Sequence, residues 1–253
     1  MKLIINKEKR IGKVIYVVEG DETEPEIVEQ LFRDFLGYSV VKYDKRDNSY
    51  TELVSDRDKY SRIYIVPSQY SAIKKISKSA DYFDQVFSTL ATNYELDVTN
   101  NAVYFLFDRD RVSNRPTRVK EAIVALSNSR DSVGYGMNGL LLLSYPSIEA
   151  FYCNVNNDNE KFSSGNEAKN YVEKYSDETL SDVKLIDGAE CVLKKVLSIL
   201  NEQEFNLEWL DSFSSINEKI FDYEEKEFNK NKLYDTLSLL FISLLDLGII
   251  EIE

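Results

Sequence analysis

Three stretches of this sequence hold side chains able to do chemistry together. "VVEGDETEP" (residues 17–25) places four acids within six residues, Glu19 to Glu24. "FDRDR" (107–111) interleaves Asp108 and Asp110 with Arg109 and Arg111, and "SYPSIEAFY" (144–152) carries Glu149. The chain has no histidine, which removes Ser-His-Asp and Cys-His nucleophile systems and nearly all zinc sites. Chemistry must then run on carboxylates, Lys, Arg, Tyr and a hard cation. Oxygen-only ligands favour Mg²⁺ or Mn²⁺.

Each acidic stretch follows an apolar run. Lys13 to Val18 is β-branched with little alternation, as expected of a strand covered on both faces in a parallel sheet. A helix should follow, capped by Asp21 or Thr23, with Pro25 in its first turn and an apolar stripe of Ile27, Val28, Leu31, Phe32 and Phe35 ending near Gly37. Further strands are predicted at 39–43, 62–66, 102–107 and 139–143, with residues 44–60 a polar, charge-mixed stretch. Helical spacing marks 71–94, broken around Ser79, and 118–126, and a further helix opens at Ser147 or Ile148. Strands alternating with helices imply right-handed crossovers and a mainly parallel α/β sheet. Beyond about residue 155 the strand signal fades, and 166–175, 188–200 and 230–247 read as helices joined by acidic loops. The expected organisation is an α/β domain over 1–154 and an acidic helical extension over 155–253.

Composition bounds the partners. The 253 residues carry a net charge of -13, which looks hostile to nucleic acid because phosphate binding is driven largely by Lys and Arg. The distribution changes that reading: residues 1–120 hold 20 Lys and Arg against 19 Asp and Glu, and residues 121–253 hold 11 against 25. Apolar runs such as 139–143 and 237–245 are too short or interrupted to span a bilayer. With no cleavable leader pattern at the start, the expected compartment is the cytoplasm. Cys153 and Cys191 lack metal-type spacing and read as two half-buried thiols.

In an open α/β sheet, sites form beyond the carboxyl ends of the strands. Glu19, the Asp108/Asp110 pair and Glu149 each follow a strand in that sense. If the first and third of these strands are neighbours, their acids lie within a few ångströms of a common point, and repulsion must be relieved by a proton or a cation. Each piece also has a bland reading. Glu-Gly can be a turn with Gly20 in a left-handed conformation, Asp-x-Asp an ion-paired loop, and Glu149 a carboxylate that stabilises its helix dipole.

The order of Glu-Gly after a first apolar strand and Asp-x-Asp after a later one resembles the Toprim domain of topoisomerases, primases and OLD-type nucleases. More narrowly, Glu19, Gly20, Thr23, Glu24 and Pro25, with Ser144, Pro146 and Glu149, look like RloB-like Toprim proteins of phage defence and abortive infection. The chain differs at Tyr145 and at Ala150-Phe151, where such relatives tend to have Asn and Leu-Trp. The resemblance covers about residues 13–153 and implies a Toprim-like fold and metal-dependent phosphodiester cleavage of DNA or RNA. In that reading Asp108 and Asp110 hold Mg²⁺ or Mn²⁺, Glu19 is general base or acid or shares a second metal, and Glu149 is a further ligand or orienting residue. Arg109, Arg111, Arg115 and Arg118 receive the phosphate backbone, unless the run is a charge-balanced surface. The partners implied are nucleic acid, tRNA included, an ATPase or sensor protein that releases the nuclease, and further copies of the chain; no membrane is expected.

Two other classes compete. Asp-x-Asp after an apolar strand also holds Mn²⁺ on a diphosphate in nucleotide-sugar transferases, where Glu19 has no expected role. A Toprim-like regulatory subunit would instead bind a sensor through its acidic helical half. Seventeen tyrosines suggest a covalent topoisomerase nucleophile, but the chain has no room for strand-passage domains; half-buried residues with a polar tip account for them.

Overall fold

A computed structural model describes residues 2–20, 22–43, 50–67, 81–92, 94–96, 98, 100–109, 111, 115–130, 139–175 and 178–253. The chain forms two compact units. One gathers Met1–Lys9, Phe107–Arg111 and Leu142–Glu253, and the other Arg10–Leu106 and Val112–Leu141. We call these the first and second units.

The chain opens with β1 (Leu3–Ile5) and enters the second unit before β2 (Lys13–Val18). Val14 to Val18 are all 0–1% exposed, because β2 has a parallel neighbour on each side, β5 (Arg62–Pro67) and β6 (Ala102–Asp108). An unbroken β-branched run suits such a doubly covered strand. α1 (Thr23–Gln30) continues through a π-turn at Leu31–Phe35. Its predicted stripe of Ile27, Val28, Leu31, Phe32 and Phe35 is buried.

β3 (Tyr38–Tyr43) pairs antiparallel with β4 (Thr51–Ser55), which pairs antiparallel with β5. β4 falls in the stretch expected to be merely polar. Thr51, Leu53 and Ser55 point inward and are buried, a period-2 pattern hidden by small polar side chains on the covered face.

α2 (Asp81–Thr92) precedes β6 and buries Phe87 and Leu90; the expected helix before Ser79 lies outside the described residues. α3 (Pro116–Ala125) buries Val119, Ala122 and Ile123. β7 (Ser127–Asn128) pairs antiparallel with β8 (Gly139–Tyr145). With β11 (Leu237–Ser238) at one edge, the sheet order is β11-β8-β6-β2-β5-β4-β3, a mixed α/β arrangement with a parallel centre and antiparallel margins. β6 separates β2 from β8, so the first and third acid-bearing strands are not neighbours, and the middle one lies between them.

In the first unit, α4 (Ala150–Val155), β9 (Lys161–Phe162), α5 (Gly165–Val172), α6 (Asp182–Leu200) and α7 (Phe213–Asn231) follow β8. Ser164 and Ser181 cap α5 and α6 by accepting the N–H groups of Glu167 and Lys184. Residues 230–247, expected as one helix, instead form the end of α7, β10 (Tyr234–Asp235), β11 (Leu237–Ser238) and a short α8 (Leu240–Asp246). β10 pairs with β9, β11 with β8, and β12 (Ile250–Ile252) with β1, all antiparallel. Burial on every side explains the misreading: Tyr234 and Leu237 to Leu245 are all buried, and a continuous apolar run has no period to read.

The units do not part at residue 154. Asn154 Nδ2 donates to Thr236 O at 3.1 Å and its Oδ1 accepts the Ser238 N–H at 2.9 Å. The Phe151 and Phe241 rings stack 5.2 Å apart. Gly188 allows that closeness, since a Cβ there would lie 2.6 Å from Phe241 Cζ. The segment 142–155 is thus built into the helical unit. Both cysteines are free and buried, and burial pushes the Cys153 thiol up to about 12. No helix among the described residues is long and apolar enough to cross a membrane.

Candidate functional site: two acidic corners

The second unit holds the Glu19 corner. Where β2 ends, the Glu19 N–H donates to Leu106 O at 3.2 Å, extending the parallel register that pairs Val18 with Leu106. Glu19 is half-buried. The chain then turns because the Gly20 N–H donates to Glu24 Oε1 at 3.1 Å, and Glu24 is only 7% exposed. Gly20 does not adopt a positive φ, which corrects the left-handed expectation. Glycine is needed for closeness instead: a Cβ would stand 2.6 Å from Glu24 Oε2. Thr23 does not cap the helix either. Glu22 occupies that position with no side-chain cap bond, and Asp21 lies outside the described residues. Arg115 is the exposed N-cap residue of α3, and the half-buried Arg118 donates its N–H to Arg115 O at 3.0 Å.

The first unit holds the Asp108 corner. Asp108 ends β6, and its Oδ1 accepts the Ile148 N–H at 2.8 Å. The Arg109 N–H donates to Ser144 O at 2.8 Å. The structure therefore joins two of the three stretches: the Asp-x-Asp segment is sewn to the turn that follows β8, where Tyr145-Pro146 is cis. Glu149 lies in that turn, 7% exposed, immediately before α4 and without a capping bond. Asp110 lies outside the described residues.

The arginines take unexpected positions. The Arg109 side chain is 0% exposed, with Nη2 2.7 Å from Glu225 Oε1 and Nε donating to the same oxygen at 2.8 Å. Its guanidinium lies 5.3 Å from the Phe221 ring centre. Arg111 Nη2 lies 3.0 Å from Glu225 Oε2 and donates to Asn229 Oδ1 at 3.1 Å, with its guanidinium 4.6 Å from the Phe228 ring centre. This corrects the expectation that Arg109 receives phosphate: a fully buried guanidinium already paired with a carboxylate faces no external anion. The four arginines are also not one run, since Arg109 and Arg111 belong to the first unit and Arg115 and Arg118 to the second.

α7 supplies residues that the sequence reading missed. Phe213, Ile216, Ile220 and Phe221 form its buried stripe, and Glu224 and Glu225 continue that stripe. Two carboxylates in line with an apolar face were the available signal, because charge is seldom buried without a partner. The Tyr234 hydroxyl also donates to Glu225 Oε1 at 3.0 Å, and burial pushes its pKa well up. Glu224 is fully buried, accepts the Asp235 N–H at 3.2 Å, and is pushed up to about 8 by burial and then by Asp235.

Among the described residues, no group of three or more Asp, Glu, Cys or His stands ready to hold a metal ion. The donor chemistry at both corners is carboxylate oxygen, suited to a hard divalent cation. No protein-family model, curated protein or solved structure matches the chain.

Proposed function

We propose that this protein is a divalent-metal-dependent nuclease of the Toprim type acting on DNA or RNA in prokaryotic antiviral defence, with the cytoplasm as its compartment. The observation that carries the reading is at the carboxyl end of β6. Asp108 ends that strand, its carboxylate accepts the Ile148 N–H, and Glu149 lies in the same turn. Carboxylates beyond the carboxyl end of a parallel strand occupy the usual place of an α/β active site.

Asp108 and Asp110, with Glu149, would hold Mg²⁺ or Mn²⁺, and the bound ion would polarise the phosphate. The chain's own residues do the rest. The Ile148 amide orients Asp108 through its Oδ1, and Glu19 would move the proton of the attacking water. Arg115, exposed at the start of α3, and Arg118 one turn on are the arginines left to attract a phosphate backbone.

The test is incubation of the pure full chain with single- and double-stranded DNA and with RNA, tRNA included, in Mn²⁺ or Mg²⁺. Cleavage should require the ion and fall at least ~10²-fold in Asp108→Asn and in Glu19→Gln. Cleavage unaffected by either substitution would overturn the proposal. Absence of cleavage by the wild type, together with Mn²⁺-dependent turnover of a nucleotide sugar that Glu19→Gln keeps and Asp108→Asn loses, would favour a diphosphate-binding transferase.

A further inference from the structure

Glu225 lies 114 or more positions from the arginines it touches, yet one carboxylate serves both. Its Oε1 takes Arg109 and Tyr234, and its Oε2 takes Arg111. Phe221, Glu225 and Phe228 follow each other at i, i+4 and i+7, so one face of α7 offers a ring, a carboxylate and a second ring. Each guanidinium lies against one ring and pairs with one carboxylate oxygen. Asp110 lies between those two arginines in sequence, and Asp108 directly precedes the first.

We propose that Glu225 is a positioning residue for Asp108, acting through the Arg109 and Arg111 guanidiniums to hold that carboxylate in place for the metal; this rests on the nuclease reading above. Three contacts of the described residues tie the segment 108–111 to the rest of its unit. They are the Arg109 N–H on Ser144 O, the Asp108 carboxylate on the Ile148 N–H, and the two guanidiniums on α7. The first two act where the chain leaves β6. Glu225 adds a restraint from α7 on two side chains two residues apart, with Arg109 hydrogen-bonded to Oε1 and Arg111 at ion-pair distance from Oε2.

Burying Arg109 against Glu225 is also an expensive way to fill space. Apolar residues of similar volume commonly match or exceed the stability of such a pair, whereas an ionic pair imposes one register. The Arg109 guanidinium thereby takes a role inside the fold. The extension that looked separate in sequence becomes the support of the acidic loop.

The experiment compares wild type with Glu225→Gln, which keeps size and loses charge. It measures amide hydrogen exchange over 107–111, Mn²⁺ affinity by titration of the pure protein, and kcat and KM for cleavage. Glu225→Gln should exchange at least about 10-fold faster over that segment and bind Mn²⁺ about 10- to 100-fold more weakly. Its kcat should fall while KM holds. Arg111→Gln, at the more exposed of the two guanidiniums, gives the same readouts with the Arg109–Glu225 pair intact, and should show a smaller change in the same direction. Unchanged exchange and unchanged Mn²⁺ affinity in folded Glu225→Gln, or in Arg111→Gln if the first variant does not fold, would overturn the proposal and leave a structural ion pair. Wild type that binds no Mn²⁺ would overturn the nuclease reading instead, and the exchange readout then decides by itself whether Glu225 holds the segment.

Discussion

The two acidic corners are built in opposite ways. At the Glu19 corner the turn closes on itself: Gly20 and Glu24 are four residues apart and share a 3.1 Å bond. At the Asp108 corner the chain is held from far away. Its partners include Ser144, Ile148, Glu225 and Asn229, between 35 and 118 positions distant. A local device acts as soon as the helix forms, whereas a distant one exists only in the finished fold. The first therefore tolerates change cheaply, and the second concentrates stability in a few buried charges.

The sharpest way to break that contrast is Arg109→Ala. It strips Glu225 of its fully buried partner and should cost about 3 kcal/mol, the lower end for breaking a buried pair, because Arg111 and the Tyr234 hydroxyl still face the carboxylate. Urea unfolding followed by circular dichroism measures it, and a loss below about 1 kcal/mol would place the Asp108 corner on the same footing as the other.

A second, pH-dependent effect concerns Glu224, next to Glu225 on the buried face of α7. Its Oε1 has no hydrogen-bond partner among the described residues. Burial raises its folded pKa to about 8 from an ordinary 4.5. Between those values the unfolded chain releases the proton that the folded chain retains, so rising pH favours unfolding across that window and the loss is complete above it. Glu224→Gln removes the effect. It should unfold like wild type near pH 4.5 and be more stable by on the order of 1–3 kcal/mol at pH 8.5. Thermal unfolding at the two pH values checks it, and parallel curves would show that the carboxyl is already solvated.

The smallest effect belongs to the local corner. Gly20→Ala forces the Glu24 carboxylate aside, breaks one hydrogen bond and should cost about 0.5–1.5 kcal/mol. A loss as large as that of Arg109→Ala would mean that the Glu19 turn also depends on distant packing.

Much of the second unit was legible. β2, β5, β6 and β8 announce themselves as unbroken apolar runs, and α1 as a 3.6-residue stripe, because burial on two faces or on one selects those patterns directly. β4 escaped because threonine and serine fill its inward positions. α7 escaped because Glu224 and Glu225 stand where apolar residues were awaited. The 230–247 stretch looked like one helix because Thr236 to Leu245 are all buried and leave no period to read.

The sequence alone established that any chemistry here must be oxygen chemistry, with acids at the ends of buried strands and no histidine to assist them. Strand order, the attachment of Asp108 to the turn after β8, and the burial of Arg109 against Glu225 were decided only in three dimensions. The reason is range. Spacing along a chain reports contacts within one turn of helix or one strand, whereas an ion pair across 116 positions leaves no periodic trace and forms only when the packed fold brings its ends together.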